Sequence, residues 1–589
     1  MLTPKKKPLG LLIWLSLTSL LACSCSSNGS SHEAIRIRWG HDPETIDPMA
    51  QPNQAATDAD NLLHLSLLQA EVKEHQYVPA LAAAQPGIRL IGDSLMHITY
   101  ELRPQAVWDD GRPVLGRDVE FTLKLMFCPG LPNEVPRNQY RFVKAVIPDS
   151  TNPRRFTIVC RGQAPEYVKA TGDFFILPAA ALDPVGRLRR FTLAELQHRS
   201  LTAPADPALQ ALARQYQHGY AGRAPGHLPG CGPYKLVSWE KDRSLVFRRK
   251  AHWWADQLRP APIMLRARPQ QLDYVIIPDA ATATLALRRG DVDVYPQMPA
   301  REFERLRTTP AARAALRFYT TPSYDVVIAG FNTSRPALAD AFTRRALSRC
   351  FDAARLMQAT QLGAGQRTVG ILSPSDTANY NGALPLIPFA PNDAAALLRQ
   401  GGWERAAAPN AGWFRPAPNG TRQQLRLAVR YRTGEPLFAT IALQFQAATA
   451  PLDIPVSLLP TESGAFSESL RASDFDMYVR VLKGNPFMFN FTPLLHSQGI
   501  GAGNAMRFST PASDRLIEAI AAASSTASRQ QLLRRFQALM QQEMPLVPLF
   551  FLPSRIAANK HLRELNVSSL KPGYLATTIE RTAQAPPSP

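Results

Sequence analysis

Proline usage is the feature that most restricts what this chain of 589 residues can fold into. Its 52 prolines are spread along the sequence instead of being concentrated in one segment. Proline lacks a backbone N–H and disrupts helix interiors and central strands, so this spread favours short elements joined by many loops. We therefore predict an α/β architecture and exclude a long helical bundle. With 45% hydrophobic residues over this length, two or three lobes are expected.

The amino-terminal residues have the layout of a secretory signal peptide. Three lysines precede an uncharged apolar run over residues 9–22, which is too short to span a bilayer comfortably. The run ends in Leu20-Leu21-Ala22-Cys23 and resembles the bacterial lipobox, so we expect removal of residues 1–22 and lipidation of Cys23. Residues 23–32 would form a flexible tether. The alternative is an ordinary signal peptide with an incidental cysteine.

This leader predicts a lipoprotein on the periplasmic side of the cell envelope, anchored to a membrane through the lipid on Cys23. Ser24 stands where many lipoproteins retained in an inner membrane have aspartate, so the outer membrane is favoured. Five further cysteines allow at most two disulfides in that oxidising compartment. Cys128 and Cys160 are the closest pair in the body of the chain, and buried free thiols are the alternative.

The charge balance is strongly basic. The formal charge is +19, and loss of the three lysines in residues 1–22 leaves +16. Such an excess attracts anionic solutes, lipids or nucleic acid. The arginines are dispersed, however, and no zinc-finger spacing or base-stacking motif accompanies them. A basic solvated surface without a nucleic-acid partner is therefore predicted.

Local patterns predict helices alternating with strands, which is typical of α/β construction. Gly290 follows a helical pattern and can take the left-handed backbone that ends a helix before the next strand. Ser528 and Gln531 predict a capping box at the start of a later helix. The other predicted elements are strands over residues 35–39, 90–102, 291–295 and 546–551, a hairpin over 234–248, and helices over 117–127, 280–289 and 341–351.

A series of short segments follows a definite order along nearly all of the mature chain. The segments include Thr45-Ile46-Asp47-Pro48, Asp110-Gly111-Arg112-Pro113, Gly232-Pro233-Tyr234, Phe331-Asn332-Thr333, Asp474-Phe475-Asp476 and Val547-Pro548-Leu549-Phe550. Each alone could be a structural turn, but their shared order resembles the extracellular solute-binding protein family 5. These are the oligopeptide- and dipeptide-binding proteins of ABC importers.

The resemblance implies a two-lobed periplasmic-binding-protein fold (type II, cluster C) with an extra domain inserted in the first lobe. By analogy, lobe I comprises residues 33–70, 178–315 and 546–589, the extra domain comprises 71–177, and lobe II comprises 316–545. The lobes would close over a buried ligand and present it to the permease subunits of an ABC importer. A monomer without cofactor or metal is expected.

The resemblance also indicates where the ligand lies. In this family an extended peptide is held largely through its backbone, and hydrated pockets accept its side chains. Well-known members place a carboxylate for the peptide amino terminus just after the ligand strand, whereas this chain has Lys483, which would repel that group. The predicted ligand-binding residues are His41, Asp42, Pro43, Tyr295, Gln297, Glu462, Ser463, Val479, Arg480, Val481, Leu482, Lys483 and Asn485.

Several alternatives stay open from sequence. Glu462 or Asp42 could replace the lost acidic anchor, or the ligand carries an anionic group that Lys483 or Arg480 receives. Simpler interpretations make residues 41–43 a turn, Tyr295 a hinge-packing aromatic, and Arg480 a solvent-facing charge.

The predicted function is peptide capture and transport rather than catalysis. The chain has no Gly-x-Ser-x-Gly elbow, no His-Glu-x-x-His helix and no phosphate loop. The alternatives are a binding protein for a non-peptide, anionic solute and an extracytoplasmic hydrolase, since acids far apart in sequence can meet in space.

Overall fold

The computed structural model describes residues 34–50, 53–71, 76–131, 133–202, 206–221, 230–407, 412–416, 420–484, 486–487, 489–501 and 503–582. The predicted signal peptide, tether and lipidation site Cys23, as well as Asn485, lie outside these ranges. Within them, no helix combines the length and the apolar character needed to cross a bilayer.

Short strands predominate, as the proline distribution predicts. In chain order they are β1 (Ala34–Trp39), β2 (Leu68–Ala70), β3 (Tyr77–Pro79), β4 (Gly87–Ile91), β5 (Leu95–Glu101), β6 (Val143–Pro148), β7 (Arg155–Arg161), β8 (Tyr234–Glu240), β9 (Ser244–Arg249), β10 (Gln271–Ile276), β11 (Val294–Tyr295), β12 (Leu316–Phe331), β13 (Gln366–Arg367), β14 (Glu404–Arg405), β15 (Trp413–Pro416), β16 (Arg422–Gln424), β17 (Leu427–Arg432), β18 (Val456–Thr461), β19 (Met477–Leu482), β20 (Leu546–Asn559), β21 (Leu562–Arg563) and β22 (Glu580–Arg581).

The helices alternate with these strands along the chain. They are α1 (Gln54–Leu63), α2 (Gly116–Met126), α3 (Glu134–Gln139), α4 (Glu166–Gly172), α5 (Ala179–Leu182), α6 (Leu193–Thr202), α7 (Pro207–Ala221), α8 (Ala280–Arg289), α9 (Ala300–Thr308), α10 (Pro310–Ala315), α11 (Ala341–Ser348), α12 (Ala353–Gln361), α13 (Pro391–Gln400), α14 (Pro436–Thr449), α15 (Ser463–Ala472), α16 (Thr492–Leu495), α17 (Pro511–Ala522) and α18 (Thr526–Glu543).

An 11-stranded sheet runs through both lobes of the fold. Its order is β18-β17-β19-β12-β20-β11-β1-β10-β9-β8, with β13 paired to β20 off this path. In lobe I, β1 pairs in parallel with β10 and β11. In lobe II, β17 pairs in parallel with β18 and β19. The antiparallel strands β12 and β20 lie between these groups and belong to both lobes.

The β12–β20 pair changes register where it passes from one lobe to the other. Pro322 stands opposite Pro553, and the regular pairing resumes only at Val326 opposite Phe551. Two facing prolines supply no backbone N–H, so this rung cannot form ladder hydrogen bonds. Instead Ser323 Oγ donates to the carbonyl of Leu552 at 2.6 Å. We refer to the interrupted segment over residues 323–325 as the hinge region, because it lies where the strand pair passes from one group of parallel strands to the other.

The hydrophobic cores are formed by side chains from the faces of these sheets. The four-stranded sheet β4-β5-β7-β6 contributes Ile98 and Phe156 to the same core as Ile37 of β1 and Tyr274 of β10. The extra sheet is therefore packed into lobe I and does not form a separate core. In lobe II, successive β12 residues alternate between two cores on opposite sheet faces, as the period of a strand requires.

Some local predictions are confirmed and others are wrong. Helix α8 has the predicted bounds, and Gly290 ends it at φ 80°. The strand predicted over residues 90–102 is instead the hairpin β4–β5, with Gly92 at φ 53° in its turn. Helix α18 begins one residue after Ser525, whose side chain accepts from the Ser528 N–H, so the predicted cap at Ser528 is wrong by one helical turn.

The predicted disulfide between Cys128 and Cys160 is not formed. Both thiols are free and buried, as are those of Cys231 and Cys350. Cys160 lies within β7, whereas Cys128 follows α2 and donates weakly to the carbonyl of Leu209 at 3.8 Å. The alternative of buried free thiols is the correct one for these four cysteines.

The hinge generates a first prediction, at Gly484. A Cβ added there would lie 2.2 Å from the Tyr324 carbonyl oxygen, which belongs to the backbone and cannot rotate away. We expect Gly484→Ala to lower the free energy of unfolding by about 1–3 kcal/mol, the usual cost of overpacking. Denaturant unfolding measures this. Gly464→Ala in α15 is the matched control, because no atom lies within 4 Å of its added Cβ. Equal stability of the two variants would contradict the close approach at the hinge.

Candidate functional site

The candidate site lies where the parallel strands of the two lobes end. Carboxyl ends of parallel strands meet at one sheet edge, which is where α/β proteins commonly bind ligands. In lobe I, β1 ends at Trp39 and β11 at Tyr295. In lobe II, β17 ends at Arg432 and β19 at Leu482. Both edges run toward the hinge, so the two lobes enclose a cleft between them.

Positive charge collects on the lobe II edge of this cleft. The register pairs Tyr431 with Val479, so the next residues of the two strands, Arg432 and Arg480, are neighbours. Burial lowers the pKa of Arg432, and the charge of Arg480 lowers it further. Glu435, three residues later in the chain, forms an ion pair with Arg432. Arg480 Nε donates a long hydrogen bond of 3.4 Å to the carbonyl of Val481.

Lobe I presents Arg38 and His41 to the same place. The guanidinium of Arg38 lies 4.9 Å from the centroid of the Tyr295 ring and donates to the carbonyl of Ile277 at 2.8 Å. Burial lowers the pKa of His41, and the positive charges of Arg432 and Arg38 lower it further. Because the charge of Arg432 in lobe II acts on His41 in lobe I, we infer that the two strand edges face each other. Together they form a basic cleft that can receive an anionic group.

A second group of charges surrounds the hinge. Lys571 of lobe I forms an ion pair with Asp325 at 2.8 Å. Lys483 follows β19 and is accessible to solvent, but the cleft walls desolvate its ammonium, which lowers its pKa together with the charge of Lys571. Asp58 of α1 attracts both lysines and is itself buried. The hinge thus carries both signs of charge.

The lobes also touch directly beyond the hinge. Phe487, which follows β19, packs edge-on against Tyr77 of lobe I with ring centroids 4.8 Å apart. Lys169 lies 5.5 Å from the centroid of the same phenylalanine ring. Arg529 of α18 and Glu166 of α4 form a long ion pair at 3.9 Å, with both side chains largely buried. These contacts join the two lobes at positions away from the hinge.

The predicted site residues fall into two groups. His41, Gln297, Glu462, Ser463 and Lys483 are exposed at or just after strand ends, and Arg480, Val481 and Leu482 are half-buried there. Gln297 takes a left-handed backbone with φ 54°. Glu462 precedes α15 and accepts a hydrogen bond from Thr433 at 3.2 Å. These residues share the cleft edge, and Asn485 lies outside the described residues.

The other predicted residues have structural surroundings. Asp42 is buried, and its carboxylate accepts from the Trp239 indole at 3.0 Å and from the Asp242 N–H at 2.8 Å. Pro43 is buried beside it. The side chain of Val479 lies in the lobe II core, because strand alternation turns it away from the face of Arg480. Tyr295 is fully buried in a lobe I core. None of these four side chains is open to the cleft.

Several charged residues of the cleft were missed by sequence reasoning. Arg38 and Arg432 lie near the carboxyl ends of β1 and β17, and a cation at that point of an alternating strand was the available signal. Asp58 occupies a buried face of α1, where an acid among apolar positions was the signal. Lys571 has no distinctive local pattern. Its place depends on the loop after β21 returning to the hinge.

Comparison with known proteins decides the family. Residues 76–501 match the family described as bacterial extracellular solute-binding proteins, family 5 Middle. The chain belongs to this family. The fold described above is therefore that of a family 5 solute-binding protein.

Individual similarities are distant but long. The family 5 protein is 23% identical over 508 residues to the peptidoglycan-binding protein YepA of Agrobacterium fabrum, covering 79% of this chain and 76% of the relative. It is 22% identical over 457 residues to the periplasmic murein peptide-binding protein MppA of Escherichia coli, covering 77% and 76%. The oligopeptide-binding protein AppA of Bacillus subtilis, solved with a nonapeptide, superposes with a TM-score of 0.74 at 17% identity, covering 93% of this chain and 99% of that one.

The buried acid of the hinge generates a second prediction. Burial raises the pKa of the Asp58 carboxyl from 3.8 to about 7, against an opposing hydrogen bond from Gln54. Between about pH 4 and about pH 7 the unfolded chain loses this proton while the folded protein keeps it, so stability falls as pH rises. We expect Asp58→Asn to avoid that loss. Above pH 7, its free energy of unfolding should exceed that of the wild type by on the order of 3 kcal/mol.

Urea unfolding of both proteins across this pH range measures the effect. Asp93→Asn, in the exposed β4–β5 turn, is the control, because its carboxylate is solvated in both states. A stability difference between wild type and Asp58→Asn that does not change with pH would contradict the burial of this charge.

Proposed function

We propose that this family 5 protein is the extracytoplasmic binding component of an ABC importer and that it captures a peptide between its lobes. The observation that carries the proposal is the cleft between facing strand ends, with Arg38 and His41 on lobe I and Arg432 and Arg480 on lobe II. A ligand that spans this cleft contacts both lobes only when they are closed, so binding would favour the closed state.

The peptide assignment draws on the relatives. Two curated relatives are named for peptidoglycan or murein peptide binding, and a structural neighbour holds a nonapeptide. We infer that the carboxylate of the peptide lies between Arg432 and Arg480. Two adjacent cations repel each other, so an anion between them relieves the repulsion and gains charge-assisted hydrogen bonds. The predicted site residues that are open to the cleft, and the predicted lobe boundaries, belong to this proposal.

We propose binding without chemical turnover. Members of the family are solute-binding proteins. The buried thiols of Cys128, Cys160, Cys231 and Cys350 are poor nucleophiles, because burial raises the pKa of each to about 12. In the described part of the chain, no group of three His, Cys, Asp or Glu side chains is arranged to hold a metal ion. These two observations favour binding over a thiol-dependent or metal-dependent hydrolase, and the peptide experiment below tests the remaining alternative, a hydrolase with a pair of carboxylates.

A peptide-binding experiment tests the function. The protein purified without its leader is mixed with a pool of tri- to pentapeptides, in free and carboxyl-amidated sets, and complexes are identified by native mass spectrometry. We expect one peptide per chain, recovered unchanged. Arg432→Gln or Arg480→Gln should weaken binding of the free peptides roughly ten- to hundred-fold, since a hydrogen bond to a charged group contributes about 1.5–3 kcal/mol.

The amidated set and Arg190→Gln are the controls. Arg190 is exposed in lobe I, so its loss should not change affinity for either set. Equal weakening of the free and amidated sets by the cleft variants would place the carboxylate elsewhere. Steady consumption of the peptides by the wild type would overturn the binding function in favour of a hydrolase.

We propose further that Cys23 carries the lipid anchor, most simply in the outer membrane, on the strength of the Leu20-Leu21-Ala22-Cys23 motif. Cells fed labelled palmitate should incorporate it into the wild-type chain, whereas Cys23→Ala should remain unlabelled and unanchored. Cys25→Ala is the matched control, because it removes a neighbouring thiol outside the motif. Labelling of Cys23→Ala would place the anchor elsewhere.

A further inference from the structure

A cavity of about 560 Å³ lies in lobe I, between α1, α3, the segment that follows α4 and the loop over residues 570–577. Carboxylates from two different elements line it, Asp58 of α1 and Asp173 at the end of α4. Lys571 lines it as well and reaches Asp325 in the hinge. The lobe I cavity therefore borders the interlobe cleft at the hinge.

The two carboxylates of this lobe I cavity are not balanced by an equal number of cations in its lining. Asp58 Oδ1 accepts from the Gln54 amide at 2.8 Å, and Asp173 Oδ2 accepts from the Tyr77 hydroxyl. Both donors are neutral. Among the described lining residues Lys571 is the basic one, and its ammonium already pairs with Asp325. Two acids thus share a cavity lined by one cation that is partly neutralised elsewhere, and the second lysine that acts on Asp58, Lys483, lies outside the lining.

A third acceptor on the cavity wall points to a ligand. Gln69 is 8% exposed, and its Oε1 has no hydrogen-bond partner among the residues described. A buried acceptor left without a donor costs about 1–3 kcal/mol. The amide oxygen and the two carboxylates are the complement of an ammonium group, which has three N–H donors and a positive charge.

We propose that this cavity is the subsite for the amino group of the ligand, which Asp58 and Asp173 receive in place of the acid that is lacking beside Lys483. The assignment rests on the proposed peptide function and implies which end of the ligand lies in which lobe. Its amino end lies in lobe I next to the hinge, and its carboxylate lies toward Arg480 and Arg432 at the strand ends.

The protonation of the two acids supports this assignment. Burial raises the pKa of both Asp58 and Asp173 to about 7. Asp173 lines the cavity and keeps accessible surface there, although the surrounding protein desolvates its carboxylate. An ammonium favours the ionised carboxylates, so binding below about pH 7 should release protons. The other titratable groups that act on these acids are Lys483, Lys571, Tyr274 and Tyr574 for Asp58, and Tyr77 and Tyr140 for Asp173.

The test compares the free peptide pool with the same pool acetylated at the amino terminus. Wild type should bind the free set at least roughly ten-fold more tightly, the effect of one charge-assisted hydrogen bond. Asp58→Asn and Asp173→Asn should reduce this preference to less than about two-fold, without weakening the acetylated set. Asp93→Asn should keep the wild-type preference. Calorimetry in buffers of different ionisation enthalpy should show proton release for wild type, and less for each cavity variant.

The outcomes separate this inference from the proposed function. If peptides bind but both cavity variants keep the full preference for free amino groups, or wild type has none, the amino subsite is overturned and peptide capture stands. If no peptide set binds, butylammonium chloride is the probe. Thermal stabilisation of wild type by butylammonium, absent in Asp58→Asn and Asp173→Asn, would keep the subsite and overturn the peptide function. No effect of butylammonium on wild type would overturn the subsite as well.

Discussion

Two antiparallel strands shared by both lobes, β12 and β20, determine where everything else in the structure can lie. The facing residues Pro322 and Pro553 remove the backbone donors at one rung of this pair, and regular pairing resumes only at Val326. The chain can bend there while the pairing on each side stays intact. Because the parallel strands of each lobe attach to this pair with their carboxyl ends toward the interruption, their loops face each other across one cleft.

Opposite charges collect at the two ends of that cleft. The strand ends gather arginines from both lobes, whereas the lobe I cavity behind the hinge gathers two carboxylates. Each group is costly alone, because burial disfavours the charged form and like charges repel. In the proposed binding mode, a ligand with opposite charges at its two ends relieves both costs at once and contacts both lobes. The ion pair between Lys571 and Asp325 lies between these groups and keeps the hinge close to neutral.

The two lobes also share contacts that do not involve a ligand. Phe487 packs on Tyr77, and Arg529 lies near Glu166, so a few residues of lobe II rest on lobe I away from the hinge. The ion pair is long, and desolvation offsets much of its attraction, so the aromatic contact contributes more to holding the lobes together. Such limited contact suits a binding protein, because the lobes must also separate to release the ligand.

Sequence alone determined what depends on neighbouring residues and on segment order. The alternation of apolar and polar residues and the glycine that can end a helix predicted α8, its end at Gly290 and the strand that follows. The ordered segments predicted the family and its two lobes. Tertiary structure decided which side chains meet. Asp42 turns inward because a hairpin about two hundred positions later supplies its donors, and Arg432 joins Arg480 only through the register of β17 with β19. Long-range strand pairing leaves no local pattern, since the partners are brought together only when the sheet forms.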